Sequence, residues 1–272
     1  MLVTRTIVSL LLLPIGLLFI AWGGPYYAAL ITLILILAAW EFTNLFAMSG
    51  LQPARWLVVG GTAALALGRY INGFASADWI ASLLVLLSMA HHLLAYERGR
   101  DQAGSDFAAT LAGIFYLGWV GAYMISLRQI PEGKWWVLVV LPAVWLADSG
   151  AYLVGSRFGR RKIAPRLSPK KTWEGYLGGI LFSVVGTPLF AALWRVGAGP
   201  DTSITLASSA WIGLAMGLLT ILGDLGESMI KRQVGQKDSG DLLPGHGGAF
   251  DRIDSWLWAA AIGYYLVTWF FV

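Results

Sequence analysis

The sequence predicts an all-α, polytopic integral membrane protein with about nine transmembrane helices, and three observations carry that prediction. Hydrophobic residues make up 57% of the 272 and charged residues only 12%, where a soluble domain carries about a quarter charged. Mean hydropathy is +0.68, too apolar for a surface that faces water on all sides. Apolar runs near the roughly 20 residues needed to cross a bilayer recur along the chain, separated by short polar turns. Cysteine is absent, which excludes disulfides and thiolate metal sites. The net charge of +4 and a pI near 9.4 read here as Lys and Arg held on one side of a membrane, and no nucleic-acid partner is expected.

The first run, Thr6–Trp22, has one preceding charge at Arg5 but no convincing small-x-small cleavage site, so it reads as a retained span. It pairs with Pro25–Phe46 through a turn at Gly23-Gly24-Pro25. Trp56–Leu67 is the shortest, followed by Trp79–Ala95, Phe107–Leu127, Trp135–Val154, Gly175–Trp194, Ser208–Gly223 and Ser255–Val272. Tryptophans mark many of the ends, as expected where an amphipathic ring sits among headgroups. With this count every Lys and Arg except Arg69, Arg128, Lys134 and Arg195 shares a side with the N-terminus and both large polar loops. The positive-inside rule makes that side the cytoplasm and the membrane the inner one. Residues 1–272 read as a single domain, with N-terminal spans over 1–106 and a catalytic half over 107–272. Gly175/Gly179 and Gly213/Gly217 are small-residue pairs suited to close helix packing.

Between the last two spans lies the densest polar stretch, Gly223–Ser255, with acids at Asp224, Glu227, Asp238, Asp241, Asp251 and Asp254 and bases at Lys231, Arg232, Lys237 and Arg252. A connector between spans needs only a short turn, so this insert points to chemistry at the membrane surface. Asp224, Ser228 and Lys231 are spaced to share one helix face, and Asp251 and Asp254 to share another. Taken singly, such acids more often cap helices or pair with nearby bases; taken together, they suit Mg²⁺, which one or two carboxylates and substrate phosphates can hold. Pro244 to Gly248 wraps a turn around His246, placing backbone N–H groups and an imidazole where an anion fits.

A second polar loop, Gly155–Glu174, carries Arg157, Arg160, Arg161, Lys162, Arg166, Lys170 and Lys171 against one acid. Such loops set topology and attract anionic lipid. Its end is more pointed: Ser168, Lys170, Lys171 and Thr172 directly precede a helix start, a place that favours anions. Asp148 sits deep in the sixth span, where a carboxylate is costly and marks either a functional site or a pairing with a neighbouring cation. Glu41, His91 and His92 read as interfacial.

These elements together resemble the integral membrane phosphatidate cytidylyltransferases, also called CDP-diacylglycerol synthases. Their signature, S-x-x-K-R-x4-K-D-x-G-x2-L-P-G-H-G-G-x2-D-R-x-D, is matched without a gap from Ser228 to Asp254. The family's S-P-K-K-T-x-E-G element matches Ser168–Gly175, and its D-x-x-A-Y matches Asp148–Tyr152. The resemblance implies transfer of a cytidylyl group from CTP to phosphatidate, giving CDP-diacylglycerol and pyrophosphate. It implies Mg²⁺ bound by Asp224 and Asp251, with a second metal ion beside it. It places Ser228, Lys231 and Asp254 around the metals, and Lys170, Lys171, Arg232, Lys237, Asp238 and Arg252 near the substrates. Asp148, Ser168 and Thr172 join that substrate-binding set, and His246 goes to the pyrophosphate end. Membrane phospholipid and a second copy of the chain are the other partners it implies. A CTP-dependent polyprenol kinase is the nearest alternative, and an anion transporter a remoter one, since transporters concentrate charge at the midplane of repeated halves.

Overall fold

The computed structural model describes residues 2–240 and 247–272, with side chains from residue 12 onward. The protein is overwhelmingly helical. Helices α1 (Leu2–Trp22), α2 (Gly24–Met48), α3 (Arg55–Asn72), α4 (Ala77–Glu97) and α5 (Ala103–Gly113) are followed by a π-helical stretch, Ile114–Val120. Then come α6 (Tyr123–Gln129), α7 (Gly133–Phe158), α8 (Trp173–Ala198), α9 (Leu206–Leu219), α10 (Ile221–Gln233) and α11 (Phe250–Phe270). Between α7 and α8 the basic loop folds into a small antiparallel hairpin, β1 (Lys162–Ala164) and β2 (Ser168–Thr172), with Lys162 opposite Thr172.

Among the described residues six helical segments are long and apolar enough to cross a membrane: Gly24–Met48, Ala77–Glu97, Ala103–Gln129, Gly133–Phe158, Trp173–Ala198 and Leu206–Gln233. The protein is an integral membrane protein on this count. The other three expected spans coincide with α1, α3 and α11. In α1 only Leu12–Trp22 has described side chains, α3 carries Arg55 and Arg69, and α11 opens on Asp251, Arg252 and Asp254.

The chain divides into two compact units. The first comprises Met1–Ser126 and Ile230–Ile253. Its core is built by α2, α3 and the π-helical stretch around Leu35, Phe42, Val58, Ile114 and Leu117, all essentially inaccessible to solvent. Phe250 joins that core edge-on to Phe42, with centroids 6.1 Å apart. Two residues expected at the interface prove to be internal. His92 is buried and hydrogen-bonded to Thr110 at 2.8 Å; Glu41 is buried too, with consequences below.

The second unit comprises Leu127–Met229 and Asp254–Val272. Here α8 packs along α7 and α9 along α8. Both glycine pairs act as expected, by packing, and they do so within the chain. A Cβ at Gly179 would lie 2.6 Å from the Ala147 carbonyl of α7, and one at Gly217 2.9 Å from Cα of Ile180 in α8. Trp136 is fully buried and stacks on Phe271 of α11 at 5.7 Å.

Candidate active site

In the second unit the hairpin is held by its own chemistry. Glu174, in the first turn of α8, accepts hydrogen bonds from the backbone N–H groups of Arg160 (3.0 Å) and Arg161 (3.2 Å). Thr172 caps α8, its hydroxyl accepting from Gly175 N at 3.2 Å. The hydroxyl-and-ammonium sequence therefore does end at a helix start. Ser168 opens β2 and is half-buried, Lys170 is exposed, and Lys171 is directed at Asp224 of α10, with which it forms an ion pair. Ser228, one turn along α10, donates to the other Asp224 oxygen over a long 3.4 Å. The charges of Asp224, Asp148 and Lys171 all act on Asp254 of α11, and those of Asp224 and Lys171 on Asp148 of α7. Of the three carboxylates, Asp224 is the one paired with the Lys171 ammonium. Asp148 lies within α7, one of the six candidate spans, as expected.

The approach of α10 to α11 in this unit is set by Gly223. A Cβ there would meet the Asp254 carbonyl oxygen at 2.5 Å and Trp258 Cδ1 at 2.8 Å. Backbone lies against backbone, and the residue after the contact is Asp224.

The first unit contains a separate arrangement around Asp251. Its Oδ1 accepts from Lys231 Nζ at 2.6 Å, and both side chains are almost inaccessible, 5% for Asp251 and 10% for Lys231. Its Oδ2 accepts from Gly248 N (2.8 Å), Ser239 N (2.7 Å) and the Ser239 hydroxyl (2.9 Å). Arg232 turns to the Gln236 carbonyl at 2.8 Å and finishes α10, while Lys237, Asp238 and Arg252 are exposed. His246 lies outside the described residues.

Sequence reasoning placed Glu41 at the interface and missed Ser239. Glu41 accepts from Ala249 N (2.9 Å), Phe250 N (2.9 Å) and the Ser239 hydroxyl (2.8 Å), holding the start of α11 from a helix some 200 residues away in sequence. The signal was present: Glu41 is the one acidic residue of α2, and a carboxylate in an apolar span marks function by default. Among the described residues no three His, Asp or Glu side chains converge into a closed metal cage.

A cytidylyltransferase family model matches residues 3–270, and the chain belongs to that family. The phosphatidate cytidylyltransferase of Pseudomonas aeruginosa is 36% identical over 97% of this chain and 99% of its own length. Those of Brucella suis and Synechocystis are 34% and 30% identical, covering 96% and 90% of this chain and 91% and 89% of theirs.

Proposed function

We propose that this chain is a phosphatidate cytidylyltransferase of the inner membrane, with both polar loops on the cytoplasmic side. An oxygen of the phosphatidate monoester attacks the α-phosphorus of CTP, the bond to the bridging oxygen of the β-phosphate breaks, and pyrophosphate leaves with that electron pair. The monoester is already anionic at neutral pH, so the barrier is charge repulsion and positioning more than proton removal. The observation that carries the reading is the delivery of Lys171, by a hairpin matching the family's S-P-K-K-T element, to Asp224. Lys171 and Lys170 are assigned to substrate phosphate, with Lys237 and Arg252 supplying further cations and His246 the pyrophosphate end.

Asp224 and Asp251 are assigned to Mg²⁺, with a second ion of unassigned identity. Each already holds one oxygen against a cation, Asp224 against Lys171 and Asp251 against Lys231, so both fit. Bound there, Mg²⁺ neutralises charge at the phosphates and stabilises the in-line displacement. The helices α1, α3 and α11 are proposed to cross the membrane with the six segments above, giving nine spans, and the resemblance carries a homodimer. The names of the relatives support the choice of substrates.

The test supplies detergent-purified protein with α-³²P-CTP, Mg²⁺ and phosphatidate. Label entering the lipid fraction, dependent on both phosphatidate and Mg²⁺, is the expected result. CDP released with a polyprenol acceptor instead means a kinase, and neither product sinks both readings. In the same assay Lys171→Ala is expected to lower kcat/KM by about 10²-fold, the scale of one lost electrostatic contact to a transferring group. A loss of less than about two-fold returns the hairpin to setting topology alone.

A further inference from the structure

We propose that Glu41 is a positioning residue for the reaction, acting through Ser239 and the start of α11 to fix which oxygen of Asp251 faces a cation. The proposal deepens the reading of the site given above, and its kinetic arm rests on that reading.

Glu41 is 7% exposed, and the groups that hold its carboxylate are Ala249 N–H, Phe250 N–H and the Ser239 hydroxyl. Phe250 opens α11 and Ala249 directly precedes it, so both N–H groups lie at the helix start, where the dipole favours an anion. Ser239 then connects Glu41 to Asp251. Its Oγ lies 2.8 Å from Glu41 Oε2 and 2.9 Å from Asp251 Oδ2, so its single proton serves one carboxylate at a time, while it accepts from Asp251 N at 3.3 Å. Gly248 completes the frame by donating to Asp251 Oδ2. A Cβ at that glycine would strike both the Glu41 carboxylate and the Ser239 hydroxyl.

Among the described residues, Ser239 N, the Ser239 hydroxyl and Gly248 N donate to Oδ2 and belong to this frame, which Glu41 contacts at Ser239 and directly after Gly248. Oδ1 alone is turned toward Lys231. A carboxylate rotating freely about its last torsion would present either oxygen, or both, to a cation. Here one is committed to backbone and hydroxyl donors, so the other is presented at a fixed place. Supporting contacts of this kind tune a ligand's orientation and typically matter by roughly 10–100-fold in metal affinity or activity. Capping α11 alone needs no link to Ser239, and Ser239 lies twelve residues before Asp251, outside the helix.

The experiment compares Glu41→Gln, Ser239→Ala and the double variant in the full-length protein. Glutamine keeps the volume but offers one acceptor oxygen where two serve three donors, so one end of it faces donors with a donor. Expected for Glu41→Gln is a fall in kcat of at least about ten-fold, with the KM for CTP changing less than about two-fold. Ser239→Ala is expected to fall less, and the double variant to resemble Glu41→Gln, because both changes break one chain of contacts.

A second readout is independent of turnover. Reductive methylation of the folded protein, read by mass spectrometry, should label Lys231 several-fold faster in Glu41→Gln than in the wild type, with Lys171 labelled at an unchanged rate. A purely global loss of stability would raise both. Unchanged Lys231 labelling in Glu41→Gln and Ser239→Ala, or kinetic effects that simply add, overturn the proposal. If Glu41→Gln does not fold, Ser239→Ala decides on the same two readouts. If the wild type transfers no cytidylyl group, the proposed function fails while the labelling comparison still reads the link from Glu41 to Asp251.

Discussion

Asp251→Asn is expected to reduce lipid labelling from α-³²P-CTP by about 10³-fold, the upper range for a preorganised group acting on developing charge, and to destabilise the protein as well. The activity loss follows from the assigned role: the charge that holds a cation disappears while the shape stays nearly the same. The stability loss follows from the surroundings. Asparagine has one acceptor oxygen, and Asp251 uses two, one for Lys231 Nζ and one for Ser239 and Gly248. Whichever way the amide turns, its NH₂ faces donors. Lys231, 10% exposed, also loses its carboxylate partner, and breaking one side of a buried pair costs about 3–5 kcal/mol. A single variant therefore mixes chemistry with folding. The double change Lys231→Met/Asp251→Asn removes the buried charge together with its partner and is expected to recover most of the stability, measured as the melting midpoint in detergent. It is not expected to recover transfer. Recovery of transfer in the double variant would mean that Asp251 serves the fold and not the chemistry.

What was legible in the sequence divides along physical lines. Helix-face relations were legible because 3.6 residues per turn is a local rule: Asp224, Ser228 and Lys231 do lie on one helix, and Asp251 and Asp254 do open another. The glycine pairs were legible for the same reason, since small residues four apart make a flat stripe. Partner choice was not. Nothing local says that Lys171 turns to Asp224 and Lys231 to Asp251, because both pairings depend on how distant segments pack. The hairpin Lys162–Thr172 was hidden in a run of charges with no strand alternation; it is held by Glu174 accepting backbone N–H groups, a contact without a sequence period. Glu41 was seen and misplaced. Near the end of an apolar run a carboxylate reads as reaching toward water, and only the packing of the α11 start against α2 turns it inward. The span count differs in part because composition and burial part company in α3. Its Arg69 lowers the hydropathy, yet is 3% exposed and sits 3.7 Å from the centroid of the Phe74 ring.

The close approach of α10 to α11 supplies a second large effect from a single methyl group. Gly223→Ala is expected to lower the transfer rate by about 10²-fold, the cost of misplacing a reacting geometry by something near 1 Å. The added Cβ would meet the Asp254 carbonyl oxygen at 2.5 Å. A carbonyl already committed to a helix does not swing aside as a side-chain terminus does, so the start of α10 has to retreat. Asp224 is the next residue and moves with it, away from the place where Lys171 now meets it. Overpacking of this kind also costs about 1–3 kcal/mol of stability. The control lies three residues along the same helix. A Cβ at Gly226 meets nothing within 4 Å, and alanine there gains up to about 1 kcal/mol of helix propensity. Gly226→Ala is therefore expected to melt at the same temperature or higher and to keep its transfer rate. If Gly223→Ala also keeps its rate, the helix approach is not what places Asp224. If Gly226→Ala loses activity as Gly223→Ala does, the loss belongs to a flexible helix and not to the contact at Asp254.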